Sequence, residues 1–258
     1  MDSFLFLINI HKSTVLRLIV LILILNLGYS SAKLPSVIEK CSRNLKDPRD
    51  CIRKSVEKLR PYLASGNWGE DFKVPKLEPL HLDAIYMNRG KDFKANFTDI
   101  IVHGPGKWVL EDMKIADIEK LTFDFILTLP KLEFSSKYSL DARIAIVDIS
   151  GKGKTKGYFK NSRARVRVRG YVEPKDGKNY VRFRRIQVRI SIPEAKFFLD
   201  NLFNGDEVLG QLGNRVINEN SEIFLADLIP GLEHSLAEKF TDIVNNVLKD
   251  ATVEDILN

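Results

Sequence analysis

A chain of 258 residues, 44% of them hydrophobic and 29% charged, is long enough for one large domain or two small ones. Its net charge of +6 is mildly basic, which bears on surface partners and not on fold. Two cysteines, both near the start, exclude a cysteine-dense scaffold, and no low-complexity tract, internal repeat or inter-domain linker interrupts the pattern.

Residues 1–32 read as an export signal. Lys12 and Arg17 precede an unbroken apolar run from Leu18 to Leu25, and Ser30-Ser31-Ala32 places small residues where a signal peptidase cuts, after Ala32. The run falls well short of the roughly 20 residues that span a bilayer, and no comparable run follows. Removing 32 residues from 258 leaves 226, expected outside the cell as one domain over 33–258. In that oxidising compartment Cys41 and Cys51 are expected to form one disulfide closing a short loop. A metal site would need further His or Cys ligands nearby, and there are none.

Asp47-Pro48 predicts a helix start, with the proline in the first turn, where its missing N–H costs little. Ile52, Val56, Leu59 and Leu63 form its apolar stripe, Pro61 should kink or end it, and Gly66 is a stop. The proline-rich segment 74–80 reads as an extended connector.

From Phe93 to Ile192 the apolar residues alternate, as in half-buried strands. Phe93, Ala95 and Phe97 share one face; Leu121, Phe123, Phe125, Leu127 and Leu129 share another. At Pro130 the phase slips by one, and Leu132, Phe134, Tyr138, Leu140, Ile144 and Ile146 continue on even positions, with Ala142 among them. Such a slip marks a bulge or bend that lets a sheet curl. Gly151-Lys152-Gly153-Lys154-Thr155 ends like a phosphate-binding loop but lacks its first glycine, since Asp148 stands there, and is followed by a strand pattern instead of a helix. It reads as a glycine-rich turn between strands, and nucleotide binding is rejected.

Asp176-Gly177 predicts a hairpin turn, and the phase slips again at Arg184-Arg185. Arg163, Arg165, Arg167 and Arg169 alternate with Ala164, Val166 and Val168, with Arg182, Arg184 and Arg189 across the hairpin. That basic face reads first as a solubilising outer surface and alternatively as a platform for acidic lipid headgroups or glycans. Nucleic acid is not expected, because stacking aromatics are not interleaved with the charges.

Near Asp200 the period changes from two to three or four, announcing helix. Asn204-Gly205 supplies the turn and Asp206 the cap. The helical stripe runs through Leu212, Val216, Ile223, Leu232, Leu236, Phe240, Ile243 and Val247, and Pro230-Gly231 should split it.

Chemistry-bearing clusters are sparse. His81, His103 and His234 are scattered without zinc spacing, and no nucleophile elbow occurs, so neither catalysis nor a cofactor is expected. Asn96-Phe97-Thr98 is a glycosylation sequon with Asn96 on the polar strand face.

These motifs together resemble the insect takeout family within the juvenile-hormone-binding protein superfamily. The likeness rests on Leu34-Pro35-Ser36-Val37-Ile38 before the Cys41/Cys51 pair, Leu77-Glu78-Pro79-Leu80, Leu121-Thr122-Phe123 and Gly151-Lys152-Gly153. Its most specific part is Asn201-Leu202-Phe203-Asn204-Gly205-Asp206 with Leu209-Gly210. Asn218-Glu219-Asn220 continues into Ser221 where the family usually has tryptophan, and Asp141-Ala142-Arg143 replaces the usual Asp-Gly-Arg. The resemblance implies an α+β fold in which a highly curved antiparallel sheet wraps a long C-terminal helix, a TULIP-like super-roll in a single elongated domain with an apolar tunnel. It implies a secreted, monomeric carrier of an isoprenoid, fatty acid or similar lipid. A single possible disulfide sets the chain with takeout proteins and not with the two-disulfide hormone carriers.

The expected tunnel wall takes Phe93 and Phe97 from one strand; Phe123, Phe125, Leu127, Phe134, Tyr138, Leu140, Ala142 and Ile144 from the long strand; and Val166, Val168 and Phe183 from the hairpin. Leu212, Val216 and Phe224 are expected to face Phe123, Phe125 and Leu127 from the helix, with Tyr138 offering a hydroxyl. The alternative function is a surface-interaction protein using the arginine face, in weak contact with anionic membranes.

Overall fold

The structure is a computed structural model that describes residues 34–256 apart from 43–44, 71, 73 and 118–120; the predicted export signal lies outside them. From Leu34 on, the chain is one compact unit. Helices α1 (Arg49–Lys58) and α2 (Arg60–Ser65) meet at Leu59, and Gly66, at φ 72°, ends the pair. Pro48 takes the N-cap position, one residue earlier than expected. The Cys41–Cys51 disulfide is present and ties the preceding segment to the first turn of α1. For a loop of ten residues it is worth up to about 3 kcal/mol.

Eight antiparallel strands follow among the described residues. They are β1 (Leu80–Asn88), β2 (Phe93–His103), β3 (Val109–Asp117), β4 (Thr122–Ile144), β5 (Val147–Lys175), β6 (Lys178–Phe183), β7 (Gln187–Ser191) and β8 (Glu194–Leu199). β4 and β5, of 23 and 29 residues, are the spine. β2 and β3 pair with successive stretches of β4, β1 pairs with β2, and β8, β7 and β6 pair with successive stretches of β5.

The slip at Pro130 is a bend shared by both spine strands. Leu129 pairs with Ser162 and Lys131 with Lys160, so the ladder passes through, while Asn161 opposite the proline takes φ 52°. Toward the β3 end the interior face uses odd positions of β4 and even ones of β5; past the bend both parities reverse together. The even phase of β4 stops at Ile144. Ala145, at φ 56°, turns the chain, and Ile146 is 91% exposed, not inward as the alternation predicted.

The glycine-rich stretch is not a turn, contrary to expectation, but part of the first third of β5. Its glycines make room for backbone crossing above them. A Cβ at Gly151 would sit 2.7 Å from the Tyr138 hydroxyl and 3.0 Å from Leu202 Cα, and one at Gly153 would overlap Asp200.

The C-terminal helices are α3 (Glu207–Glu219), α4 (Ser221–Val247) and α5 (Val253–Ile256). Asp206 caps α3 by accepting from the Leu209 N–H at 2.8 Å. The break falls at Asn220 and not at Pro230-Gly231, where α4 runs on unbroken. Pro230 faces solvent, where its one missing hydrogen bond is tolerated, and Gly231 lies against Met87 and Ile85 of β1.

These helices close the curl. One side of α4 (Leu232, Leu236, Phe240) packs on Leu82, Ile85 and Ile100, while Ala237 and Val244 pack on Ile186 and Val188. Ion pairs Arg89–Asp227 and Arg189–Glu233 fasten the same helix to both sides. The free edge formed by β8, β7 and β6 is satisfied by helix side chains. Asn218 pairs its amide with the N–H and C=O of Phe197, Asn214 does the same for Leu199, and Asn245 for Phe183, all at 2.8–2.9 Å. Glu233 and Thr241 accept from Ile190 and Ile186.

Candidate ligand-binding interior

Two packing regimes divide the interior at the Pro130–Asn161 bend. On the side of the β4–β5 turn the core is close-packed: Phe93, Tyr138, Leu140, Ala142, Ile144 and Phe224 are each at most 3% exposed. Phe197 and Phe224 meet edge-on at 4.9 Å between ring centroids, and Phe134 stacks on Phe159 at 4.8 Å. Phe97, Phe134 and Val216 pack at the margin of this cluster, half-buried.

On the other side, buried residues such as Trp108, Met113, Val181 and Val188 are mixed with inward-facing apolar groups that keep accessible surface. Phe125 and Leu127 sit beside their β3 partners Met113 and Leu110, and with Leu129 they pack in one cluster with Trp108 and the α1 residues Ile52 and Val56. Val166 and Val168, cross-strand partners of Phe125 and Phe123, face Phe240 and Val244 of α4. Phe123 and Phe183 pack with Leu121 and Val181. Phe123, Phe125, Leu127, Leu129, Val166, Val168, Phe183 and Phe240 are all half-buried.

The expected juxtaposition is therefore corrected in two respects. Phe125 and Leu127 face α1 and Trp108, whereas Phe224 sits in the other regime against Phe93 and Phe197. Leu212, placed on the inward stripe, is 48% exposed. The buried face of α3 is rotated by one residue to Gly213 and Ile217, because a glycine lets the helix close on Leu202, Phe203 and Ile149. Trp108, Met113 and the α1 stripe also pack here, outside the wall expected from the alternation. A register shift between Leu110 and Asp112 breaks the alternation that would have flagged β3.

Polar groups inside are few. The Tyr138 hydroxyl donates to the Asp200 carbonyl at 2.5 Å, so it is already engaged; burial, then the Asp200 charge, push its pKa up to about 12. Arg60 lies 4.7 Å over the Trp108 ring with its buried Nε unpartnered, and the Ser162 hydroxyl is also buried without a partner. Glu78 accepts from the Gly104 and Gly106 N–H groups and lies 3.4 Å from His103. His234 lies 3.1 Å from Glu238, and His81 is exposed on β1. No group of three or more His, Cys, Asp or Glu able to hold a metal occurs among the described residues.

Outside, the arginine face is partly neutralised. Arg163 pairs with Glu111 at 2.7 Å, Arg182 with Glu173 at 3.0 Å, and Arg189 with Glu233 at 2.7 Å. Arg167 grips Asp124 through two hydrogen bonds, which hold that carboxyl below its usual range. Asn96 is exposed on β2 between Tyr86 and Ser139. No helix among the described residues is long and apolar enough to cross a membrane.

Comparison with known proteins is consistent with this geometry. Residues 18–258 match the family model of haemolymph juvenile hormone binding protein. The circadian clock-controlled protein daywake of Drosophila melanogaster is 24% identical over 228 residues, 84% of this chain and 86% of that one. Its Drosophila yakuba counterpart is 23% identical over 185 residues, covering 68% and 71%. The crystal structure of Epiphyas postvittana Takeout 1 superposes with a TM-score of 0.68 at 22% identity, covering 78% of this chain and 93% of that one.

Proposed function

The chain belongs to the haemolymph juvenile hormone binding protein family, and from that premise we propose that it is an exported carrier of a small hydrophobic molecule, an isoprenoid, fatty acid or similar lipid. The observation that carries this reading is the half-buried apolar wall in which Phe125 and Leu127 face α1 and Val166 and Val168 face α4, continued by Phe123 toward Val181 and α5. Side chains that point inward yet stay accessible line space that neighbouring side chains do not fill, and apolar space of that kind suits an apolar ligand. Burying about a dozen CH₂ groups there gives on the order of 10 kcal/mol, against association costs of at least about 4 kcal/mol, so micromolar binding is reachable without a dedicated polar contact.

Export would follow removal of residues 1–32, and Asn96, exposed within its sequon, is then available for glycosylation. Extraction of the purified protein into organic solvent, followed by mass spectrometry, tests the carrier reading. A stoichiometric apolar compound is expected. Its absence, together with no uptake of a long-chain fluorescent fatty acid, refutes the reading.

A further inference from the structure

The outer face of β5 is not uniformly charged. Arg163 and Arg167 are matched by Glu111 and Asp124, and across the ladder Arg189 is matched by Glu233. Arg165 and Arg169, which alternate with them, touch no carboxylate among the described residues and act on Asp124 only at a distance, and Arg184 lies over the Tyr171 ring at 5.6 Å instead of against a carboxylate. Thr122 pairs with Arg169, and there β4 begins; from Gly170 onward β5 is accompanied by β6 in a separate two-stranded ribbon. That ribbon turns at Asp176-Gly177, both at positive φ, and residues 171–179 are all exposed. Tyr171 and Val172, on opposite faces of it, are each 42% exposed, and Lys175 and Lys178 flank the turn. Its one matched acid, Glu173, is taken by Arg182.

We propose that this ribbon, with Arg165, Arg169 and Arg184 at its root, docks the protein on an anionic phospholipid bilayer. Guanidinium groups with no carboxylate in contact are drawn to the negative headgroup layer, and an aromatic ring beside them suits the interface, where one side is apolar and the other wet. The two-sided exposure selects a bilayer over a soluble polyanion. A chain of acidic sugars covers one face of a ribbon, whereas a headgroup layer takes up both Tyr171 and Val172. The ribbon is rooted at Val181 and Leu121, beside Phe123 and Phe183, so docking there would bring the half-buried apolar wall to the membrane. That last link rests on the carrier reading; the docking itself does not.

The test is co-sedimentation of the purified protein with phosphatidylcholine vesicles, with and without phosphatidylserine, at low and high salt. Binding that requires phosphatidylserine and weakens with salt is expected. Arg165→Gln, Arg169→Gln and Arg184→Gln combined should lower it by about 100-fold, taking each basic side chain near the surface at its usual contribution. Glu111→Gln with Arg163→Gln removes a matched pair at constant net charge and should leave binding unchanged. Tyr171→Ser with Val172→Ser should weaken it at every salt concentration. Absence of vesicle binding, equal loss in the matched-pair variant, or arginine-dependent binding to heparin without vesicle binding each overturns the proposal. Circular dichroism melts confirm that the variants are folded. Retention of an extractable lipid without sedimentation would refute docking alone and leave the carrier reading standing.

Discussion

Asn214, Asn218 and Asn245 act as detached pieces of strand. Each turns its amide toward the sheet edge and supplies both the donor and the acceptor that a neighbouring strand would have supplied. The edge residues that Asn218 and Asn214 serve are buried, with Phe197 at 5% and Leu199 at 2% exposure. Losing either partner leaves an N–H and a C=O unsatisfied away from water. Asn214→Ala and Asn218→Ala are each expected to cost about 1–3 kcal/mol in urea denaturation. Asn218→Asp should cost more than the alanine, because it sets a carboxylate against the Phe197 carbonyl. A double variant as stable as the parent would show that the edge finds water instead. In sequence these residues look like ordinary polar positions on an amphipathic helix. Only the tertiary placement of the helix along an edge gives them their task, so this part of the structure was not legible.

At the scale of elements, the legible features were those with a local cause. The period change before Asp206, the Asp176-Gly177 hairpin, the Gly66 stop and the slip at Pro130 all involve backbone constraints imposed by the residues themselves. Features set by a distant partner were misread. Gly151 and Gly153 looked like a turn because glycine usually marks one, yet here both, and Gly157 after them, yield space to another segment. Similarly, Leu212 outranked Gly213 on hydrophobicity, but Gly213 is the one that packs. At Gly157 a Cβ would overlap the Lys196 carbonyl of β8 and lie 2.7 Å from the Phe134 ring. Gly157→Ala must therefore part β8 from β5 or displace a stacked ring, and should cost about 1–3 kcal/mol or more, as overpacking does. A thermal melt unchanged from the parent would mean that this junction is looser than its geometry.

Over the whole molecule, the apolar interior was legible as a composition and a face, but the division between filled and open space was not. Alternation identifies which side chains point inward; it does not say whether anything meets them. Ala142 was chosen as tunnel wall because the even phase of β4 reaches it, and there the interior is full: it pairs with Phe93 and Ile149 and is 3% exposed. Val166, in the other regime, is half-buried opposite Phe125, with Phe240 and Val244 beyond. The same enlargement at the two sites therefore separates the regimes. Ala142→Phe should cost about 1–3 kcal/mol or more of folding stability and leave the affinity of a fluorescent long-chain fatty acid nearly intact. Val166→Phe should cost less than about 1.5 kcal/mol, since the ring can enter space the native packing leaves unfilled, and should weaken fatty-acid binding severalfold by occupying it. Denaturation midpoints and fluorescence titrations on both variants decide the matter. If Val166→Phe destabilises as much as Ala142→Phe and binding is unaffected, the wall around Val166 is close-packed core and the ligand, if any, lies elsewhere.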